Sequence, residues 1–334
     1  MKKILKTAKI IIIFAALLLF ADRLLAPKYA ESLVEGSMIS QYYRESKDHE
    51  VVFIGDCEVY ANFSPMVLYE EEGIKAYVRG SSQQLIWQSY YILRETLRYE
   101  TPKVVIYNVN ALRYDHSSPE VNEAYNRLCI DKMKWSEDKV GIIKASMTGE
   151  ESFASYVFPL LRYHSRFDEI SGEDLRWLFK DKDNTYNGFL VNKNVKPLDK
   201  LPVKRNLGNY DFSRECWDYL EAMRALCEEK GCRLMLIKAP SRYPYWYNEY
   251  DAQVAEYARE HGLVYADLRK AEEEIGLDFS TDTYDGGLHL NFAGAEKNSR
   301  YFAKLLKKNY ELTDFRGDPL YDAKLSEYKA GTVD

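Results

Sequence analysis

The sequence predicts a three-layer α/β/α domain, in which a parallel five-stranded sheet carries a mainly helical insertion between its third and fourth strands. Short continuous apolar runs such as Glu50–Gly55 are typical of strands buried on both faces. They alternate with segments such as Gln83–Tyr99, whose apolar residues recur at helical spacing. Alternation of this kind predicts a parallel sheet with helices on both faces.

The elements of this alternation can be placed in chain order. The strands are predicted at Glu50–Gly55, Ile74–Arg79, Lys103–Val109, Arg233–Lys238 and Leu263–Asp267. The main helices are predicted at Gln83–Tyr99, Asp211–Lys230, Trp246–His261 and Asn291–Lys308. Gly231 follows the second of these helices, where a glycine commonly ends a helix.

Residues 111–210 separate the third strand from the fourth without a clear strand of their own. Because a structureless loop of that length is uncommon, they are expected to form an insertion with helices at Glu137–Met147 and Ser171–Phe179. The domain as a whole is assigned to residues 50–308. The charged tail, residues 309–334, is expected either to wrap the domain or to be disordered.

The first 27 residues predict a membrane segment. Four lysines precede the apolar run Ile10–Ala21, and a helix is expected from Ile4 to Ala26. A run this short also suits a signal peptide, but neither Leu19-Phe20-Ala21 nor Lys28-Tyr29-Ala30 offers a good cleavage site. An uncleaved single-pass anchor in the cell membrane is therefore favoured. The positive-inside rule puts the N-terminus in the cytoplasm, with the juxtamembrane residues 28–49 and the domain outside.

Composition argues against several classes of function. The net charge is −6, and no basic cluster occurs beyond the first nine residues, which argues against a nucleic-acid partner. The five histidines are scattered without a ligand pair, and the cysteine spacings do not resemble a zinc site. No metal or cofactor is predicted. An odd count of five cysteines in an exported protein leaves at least one free thiol.

Two short motifs contain the residues with catalytic potential. Cys57 follows the most apolar strand in Gly55-Asp56-Cys57-Glu58, and ligands of open parallel sheets bind at the carboxyl ends of strands. His289 ends the motif Asp285-Gly286-Gly287-Leu288-His289. A nucleophile needs a base within reach, and the base needs an orienting acid, for which Asp285 is the candidate and Asp282 the alternative. A buried core thiol beside an ordinary Asp-Gly turn would explain the same residues without catalysis.

Four segments in this order resemble the SGNH (GDSL-like) hydrolase superfamily, particularly its membrane-anchored extracytoplasmic bacterial members. FIGDCEVYANFSP resembles the first block of the family, with Cys57 at the position of the nucleophilic serine. Gly80 in YVRGSSQQ and Asn110 in VVIYNVNAL fall on the glycine and asparagine that supply oxyanion donors. His289 in DGGLHLNFAGAEK falls on the base. The resemblance covers residues 50 to about 305, without the insertion and the tail.

The chain departs from the family pattern at three positions. Cys57 replaces the serine, Asn108 stands at the third-block glycine, and Gly286 stands three residues before the histidine, where the family has its aspartate. Asp285 is one residue further back. These departures concern the catalytic residues more than the fold.

The resemblance implies a flavodoxin-like, SGNH-type sheet without a cofactor. It also implies an esterase or O-acyltransferase that acts on acetyl-type esters of a cell-surface polysaccharide or wall polymer, often beside a membrane-bound O-acyltransferase. Tyr243, Trp246 and Arg162 are candidate substrate-binding residues, because flat rings and guanidinium groups can stack on sugars or grip them. The same side chains could instead anchor the insertion. A catalytically inactive glycan-binding or assembly component is the alternative hypothesis, and a redox-sensing thiol is a third.

Overall fold

Five parallel strands form the centre of the protein. The structure, a computed structural model, describes residues 2–332; Met1 and residues 333–334, at the ends of the predicted anchor and tail, lie outside them. The strands are β1 Val51–Gly55, β2 Ala76–Gly80, β3 Val104–Asn108, β4 Arg233–Lys238 and β5 Val264–Asp267. Their order in the sheet is β2-β1-β3-β4-β5, with every neighbouring pair parallel.

Helices cover both faces of this sheet. The helices are α1 Lys2–Leu25, α2 Met38–Tyr42, α3 Cys57–Asn62, α4 Pro65–Glu72, α5 Ile86–Tyr99, α6 Glu123–Ile130, α7 Glu137–Ser146, α8 Phe153–Val157, α9 Leu160–Tyr163, α10 Gly172–Arg176, α11 Arg214–Lys230, α12 Asn248–Glu260, α13 Glu272–Ile275, α14 Phe292–Asn309 and α15 Pro319–Thr332. Short 3₁₀ turns lie at Val34–Ser37, Val109–Arg113, His164–Asp168 and Leu268–Ala271. The predicted fold class is confirmed, and the strand boundaries differ from the prediction by at most two residues.

The core lies in two layers, one on each face of the sheet. Successive strand residues point to opposite faces, so Val52 and Ile54 pack with α5, α7, α11 and α12, whereas Val51 and Phe53 pack with α3, α4 and α14. Because both faces are covered, β1 to β3 are buried along their whole lengths. This burial explains why their sequences are continuous apolar runs.

The insertion between β3 and β4 is helical only as far as Arg176. Glu137–Ser146 matches its prediction, and Gly172–Arg176 is shorter than the predicted Ser171–Phe179. The rest of the insertion follows the domain in extended conformation: the N–H of Leu190 donates to the carbonyl of Tyr60 on α3 at 3.0 Å, and the N–H of Lys196 to that of Thr283 at 2.9 Å. These backbone groups are therefore bonded to distant parts of the chain and not within a helix of their own.

The two ends of the chain are helical. Within Lys3–Leu25 of α1, a stretch of 18 residues has a mean hydropathy of 2.3 and no buried residue, so α1 is long and apolar enough to cross a membrane; a signal sequence has the same character. In the tail, α15 packs against α4, with Tyr321 and Tyr328 buried. The hydroxyl of Tyr69 on α4 donates to Asp322 at 2.6 Å. The tail was expected either to wrap the domain or to be disordered, and in the structure these residues pack on the domain.

Candidate active site

Cys57 lies where the strand order of the sheet reverses. β1 has β2 on one side and β3 on the other, and ligands of open α/β sheets bind at the carboxyl ends of strands at such a point. Asp56 follows β1 and caps α3: its carboxylate accepts a hydrogen bond from the N–H of Glu58 at 3.1 Å. Cys57 is thus the first residue of α3, with its half-buried thiol at the edge of the sheet.

A tight loop brings His289 together with Asp285. Gly286 and Gly287 have φ angles of +82° and +97°, which glycine adopts without strain. The hydroxyl of Thr283 accepts the N–H of Gly287 at 2.8 Å and donates to the carbonyl of His289 at 2.7 Å. The loop therefore folds back on itself. One carboxylate oxygen of Asp285 accepts the Nδ1–H of His289 at 2.6 Å, and the other accepts its backbone N–H at 2.9 Å.

Asp282, the alternative acid, is held elsewhere. Its buried carboxylate accepts hydrogen bonds from Lys297 at 2.7 Å and from the N–H of Asp278 at 2.8 Å. Since Asp285 occupies Nδ1 of His289, Asp282 is not the residue that orients the imidazole. Its contacts fasten the loop to α14.

The imidazole of His289 interacts with the Cys57 thiol. Nε2 is buried and has no partner with hydrogen-bond geometry among the described residues, while Cys57 lies near enough to interact with the ring electrostatically. The ring of Tyr284 stacks on His289 at 5.4 Å and 14° and so fixes its plane. The structure therefore brings the side chains of Cys57, His289 and Asp285 together.

The charges around this pair act in opposite directions. Burial raises the pKa of the Cys57 thiol; the positive charge of His289 opposes that rise, whereas Asp56 and Glu58 add to it. Burial by itself would lower the pKa of His289, but the Cys57 thiolate and the Asp285 carboxylate outweigh burial and hold that pKa well above its usual range. Each charge of a thiolate–imidazolium pair therefore stabilises the other.

Asn62, which sequence reasoning missed, joins the helix of Cys57 to the loop of His289. It is the last residue of α3, and its side-chain oxygen accepts the N–H of Leu290 at 2.9 Å. Its side-chain nitrogen donates to Ser241 at 3.3 Å, and its carbonyl accepts from Asn298 at 2.8 Å. Since Leu290 adjoins His289, these bonds fix the spacing of nucleophile and base. The sequence signal that could have identified Asn62 is its position in CEVYANFSP, the segment that begins at Cys57.

The two residues predicted to serve an oxyanion lie beside the nucleophile turn. Gly80 ends β2 in register with Gly55, and a Cβ at Gly80 would lie 2.8 Å from Val59 on α3. Only a residue without a side chain allows this approach. The amide nitrogen of Asn110 donates to Asp56 at 2.6 Å, which leaves one of its two N–H groups for another acceptor.

A buried polar network lies beneath Cys57. Lys238, at the end of β4, contacts both carboxylate oxygens of Glu58, at 2.7 and 2.8 Å, and neither side chain is exposed. The amide of Asn108 donates to Glu58 at 2.8 Å and to Asp56 at 3.0 Å. Asn108, noted in the sequence only as a departure from the family glycine, thus ties together the two residues that flank the nucleophile. A lysine at the end of an apolar strand was the signal that could have revealed the ion pair.

The three candidate substrate-binding residues have different environments. Tyr243 is partly exposed and adjoins the loop of His289, because its N–H donates to the carbonyl of Gly287 at 3.2 Å. Trp246 is a correction: it is 3% exposed and packs against Phe212 and Tyr250 in the core, so its ring offers no surface to a sugar.

Arg162 is a second correction. It lies on α9, which packs against α1, and its guanidinium pairs with Glu123 at 2.8 Å. Among the described residues, no contact joins it to Cys57 or His289. The arginine that lies next to the loop of His289 is Arg242, which was not among the predicted site residues. Its backbone N–H donates to the carbonyl of Gly287 at 2.7 Å.

The described residues 2–332 contain no group of three or more His, Cys, Asp or Glu side chains placed to hold a metal ion. All five cysteines are free thiols, and only Cys57 is more than marginally exposed. The thiol of Cys57 lies with the imidazole of His289 and the carboxylate of Asp285 at the candidate site.

Comparison with known proteins gives distant likenesses. No protein-family model matches the chain, and no curated protein matches it. Among solved structures it is similar to a predicted acylhydrolase from Bacteroides fragilis NCTC 9343, with 12% identity and a TM-score of 0.38 over 81% of this chain and 94% of the other. It is also similar to a GDSL-like lipase from Bacteroides thetaiotaomicron VPI-5482, with 12% identity and a TM-score of 0.35 over 87% and 100% of the two chains.

Proposed function

We propose that the protein is an extracytoplasmic esterase or O-acyltransferase, anchored by α1, that acts on acetyl-type esters through Cys57, His289 and Asp285. The observation that carries the proposal is the hydrogen bond of 2.6 Å between Asp285 and Nδ1 of His289, which leaves Nε2 buried and unpartnered on a ring that interacts with the Cys57 thiol. A base with one nitrogen held by a carboxylate and the other facing a nucleophile is the arrangement that nucleophilic catalysis requires.

The proposed reaction has two steps. His289 takes the proton of Cys57 as the sulfur attacks the ester carbonyl, and the negative charge moves to the carbonyl oxygen. The intermediate collapses to an acyl thioester when the alcohol leaves with the proton from His289. Water or a second alcohol, deprotonated by His289, then attacks the thioester, and Cys57 recovers its proton. Water gives hydrolysis, and an alcohol of another polymer gives transfer.

The oxyanion of each step needs donors that are fixed before reaction. The N–H groups of Gly80 and Cys57 and the second amide N–H of Asn110 are the proposed donors. Asp56 holds the amide of Asn110 at 2.6 Å, so its orientation does not depend on substrate. One such donor is typically worth about 3 kcal/mol of transition-state stabilisation.

The proposed substrate is an acyl ester on a cell-surface polysaccharide or wall polymer, with a membrane-bound O-acyltransferase as a candidate partner. Support comes from the apolar helix α1 and from Tyr243, whose partly exposed ring adjoins the loop of His289. A flat ring at the rim of the site suits stacking on a sugar.

The test is to trap the thioester. The full chain, purified in detergent, is mixed with p-nitrophenyl acetate, and acetylated peptides are identified by mass spectrometry. We expect a hydroxylamine-sensitive acetyl group on Cys57, slower acetylation in His289→Gln and none at that position in Cys57→Ala. Cys232→Ala is the matched control, because Cys232 is a buried thiol that should not react. A folded wild-type protein that releases no p-nitrophenol and carries no acetyl group would contradict the proposal.

One observation favours the alternative of an inactive, glycan-binding relative. Burial, Asp56 and Glu58 all raise the pKa of the Cys57 thiol, which disfavours the nucleophilic thiolate. In that case, oligosaccharide binding would persist in Cys57→Ala, and no acetyl thioester would form in the wild type.

A further inference from the structure

The segment that surrounds the end of α1 exposes an unusual amount of apolar surface. Five large apolar side chains within residues 158–179 are more than half exposed. They are Phe158 at 56%, Leu161 at 57%, Phe167 at 70%, Leu175 at 62% and Phe179 at 74%, and we call them the collar patch. Exposed apolar surface of this kind commonly marks a contact with a partner or a membrane.

The collar patch is fixed to the last turn of α1. The carboxylate of Asp22 accepts the N–H of Leu160 at 2.6 Å, and the guanidinium of Arg23 donates to the carbonyl of Leu178. The same guanidinium lies over the ring of Phe179, 5.6 Å from its centre. The two charges that interrupt the apolar run of α1 are thus satisfied by the segment that carries the patch.

Two further bonds hold the segment at the same level. Arg166 donates to the carbonyl of Leu25, the last residue of α1, at 2.6 Å, and its guanidinium also pairs with Asp174 at 3.3 Å. Lys28, three residues after α1, pairs with Asp174 of the segment at 4.0 Å. The patch therefore cannot shift along α1 without breaking these contacts.

The length of α1 sets the depth of the patch. At about 1.5 Å per residue its 24 residues span about 36 Å, against about 30 Å for the hydrocarbon core of a bilayer. When the lysine-rich start of α1 lies at one interface, Asp22 and Arg23 lie at the other. The collar patch, which is bonded to these two residues, then meets the lipid surface directly.

The charges of the segment define what kind of surface suits it. Residues 158–180 carry equal numbers of basic and acidic side chains: Arg162, Arg166, Arg176 and Lys180 against Asp168, Glu169, Glu173 and Asp174. A polybasic surface that seeks anionic headgroups would have a large positive excess. The patch would therefore bind lipid through apolar contacts, and a neutral lipid surface would suit it as well as an anionic one.

We propose that the collar patch inserts into the outer leaflet beside α1 and gives the domain a second attachment to the membrane. The proposal rests on α1 being a membrane anchor, as in the proposed function. Two attachments fix the orientation of the domain, whereas a single helix followed by a flexible linker would leave it free to rotate. A rigid orientation would hold the carboxyl edge of the sheet at a constant height above the lipid.

The experiment uses the full chain in nanodiscs of neutral phosphatidylcholine. Single spin labels are placed at Phe167→Cys or Phe179→Cys in a Cys57→Ser background, in which the remaining cysteines are buried. Val203→Cys is the matched control, since Val203 is 79% exposed on the extended part of the insertion. Leu17→Cys, in α1, reports whether the helix itself is in lipid. Collisions with oxygen and with a water-soluble nickel chelate are measured for each label.

We expect the labels at Phe167, Phe179 and Leu17 to have a ratio of oxygen to nickel accessibility several-fold higher than that at Val203. The ratio should not change with anionic lipid or salt. Lipid contact at Leu17 with water contact at both Phe167 and Phe179 would overturn the proposal and leave the anchor intact. Water contact at Leu17 would overturn both. Low accessibility to both probes at the patch would show that protein covers it, and dependence on anionic lipid would refute the apolar mode of binding.

Discussion

Replacing Lys238 by methionine should destabilise the protein strongly, because Glu58 would keep a buried charge without its cation. The ammonium group lies 2.7 and 2.8 Å from the two carboxylate oxygens, and neither side chain has exposed surface. In Lys238→Met, the hydrogen bond of 2.8 Å from Asn108 would be the main support left for the carboxylate. An amide donor compensates only part of the desolvation of an anion.

The magnitude follows from the complete burial of the pair. Removing one partner of a buried ion pair typically costs about 3–5 kcal/mol, whereas replacing both partners by uncharged groups of similar volume is often close to neutral. For a domain of this size, 1 kcal/mol corresponds to about 2 °C in Tm. Lys238→Met should therefore lower Tm by about 6–10 °C, and the double variant Glu58→Gln/Lys238→Met should recover more than half of that loss.

The assay is thermal unfolding of the full chain in detergent, followed by near-ultraviolet circular dichroism for all four members of the double-mutant cycle. The pH dependence of Tm is an independent test, because the direction of the change can be predicted. Burial lowers the pKa of Lys238, and Glu58 opposes that change, so in Glu58→Gln the folded-state pKa falls further below the unfolded value. Between these two values the unfolded state binds more protons, and stability rises with pH.

Relative to wild type, the Tm of Glu58→Gln should therefore rise as the pH increases toward about 10.4, the ordinary pKa of a lysine in the unfolded chain. Additive effects of the two single variants would refute the buried pair, as would a Tm difference that does not change over this pH range.

Three further predictions concern the site. Asp285→Asn should lower kcat/KM for an acetyl ester by about 10²–10⁴-fold, the range that a positioned base contributes. Asp282→Asn should lower Tm through loss of its lysine partner but leave kcat/KM unchanged. Equal losses of kcat/KM in the two variants would contradict the choice of Asp285. Burial raises the pKa of Cys57 and the charge of His289 lowers it, so His289→Gln should move the midpoint of iodoacetamide alkylation to higher pH. An unchanged midpoint would show that the two side chains do not interact. Gly80→Ala would place a Cβ 2.8 Å from a valine on α3, so both Tm and the rate of thioester formation should fall. A wild-type rate in this variant would show that the close approach of Gly80 to α3 does not affect the reaction.

The sheet could be predicted from sequence because burial on both faces leaves a clear pattern. The strand Arg233–Lys238 has its predicted bounds, since apolar residues fill it and a proline follows it closely. The bounds of the short helices α3 and α4 were not predicted, because helices of 6 and 8 residues give too few turns for a periodic pattern. The extended part of the insertion was also missed. Its backbone pairs with distant loops, and no local pattern reports such pairing.

The individual residues of the site were harder to predict than the motifs. Asp282 and Asp285 both precede His289 within a few residues, and only the fold of the glycine loop distinguishes them. Trp246 was misjudged because an aromatic residue after a strand can face either the core or the solvent. The pair of Lys238 and Glu58 joins residues 180 positions apart in sequence. A lysine at the end of an apolar strand indicates a buried cation, but a single sequence does not identify its partner.

The charges around Cys57 decide how a thiol would work in this site. A preformed thiolate would face the carboxylates of Asp56 and Glu58, and burial together with these two charges raises the pKa of Cys57. Lys238 neutralises only one of the two carboxylates. His289 is the group that gains from a nearby thiolate, and Asp285 strengthens it as a proton acceptor. In the proposed mechanism, the proton of Cys57 is therefore transferred to His289 as the bond to substrate forms, and not to bulk water beforehand. In that mechanism the thiol would act much as a hydroxyl does.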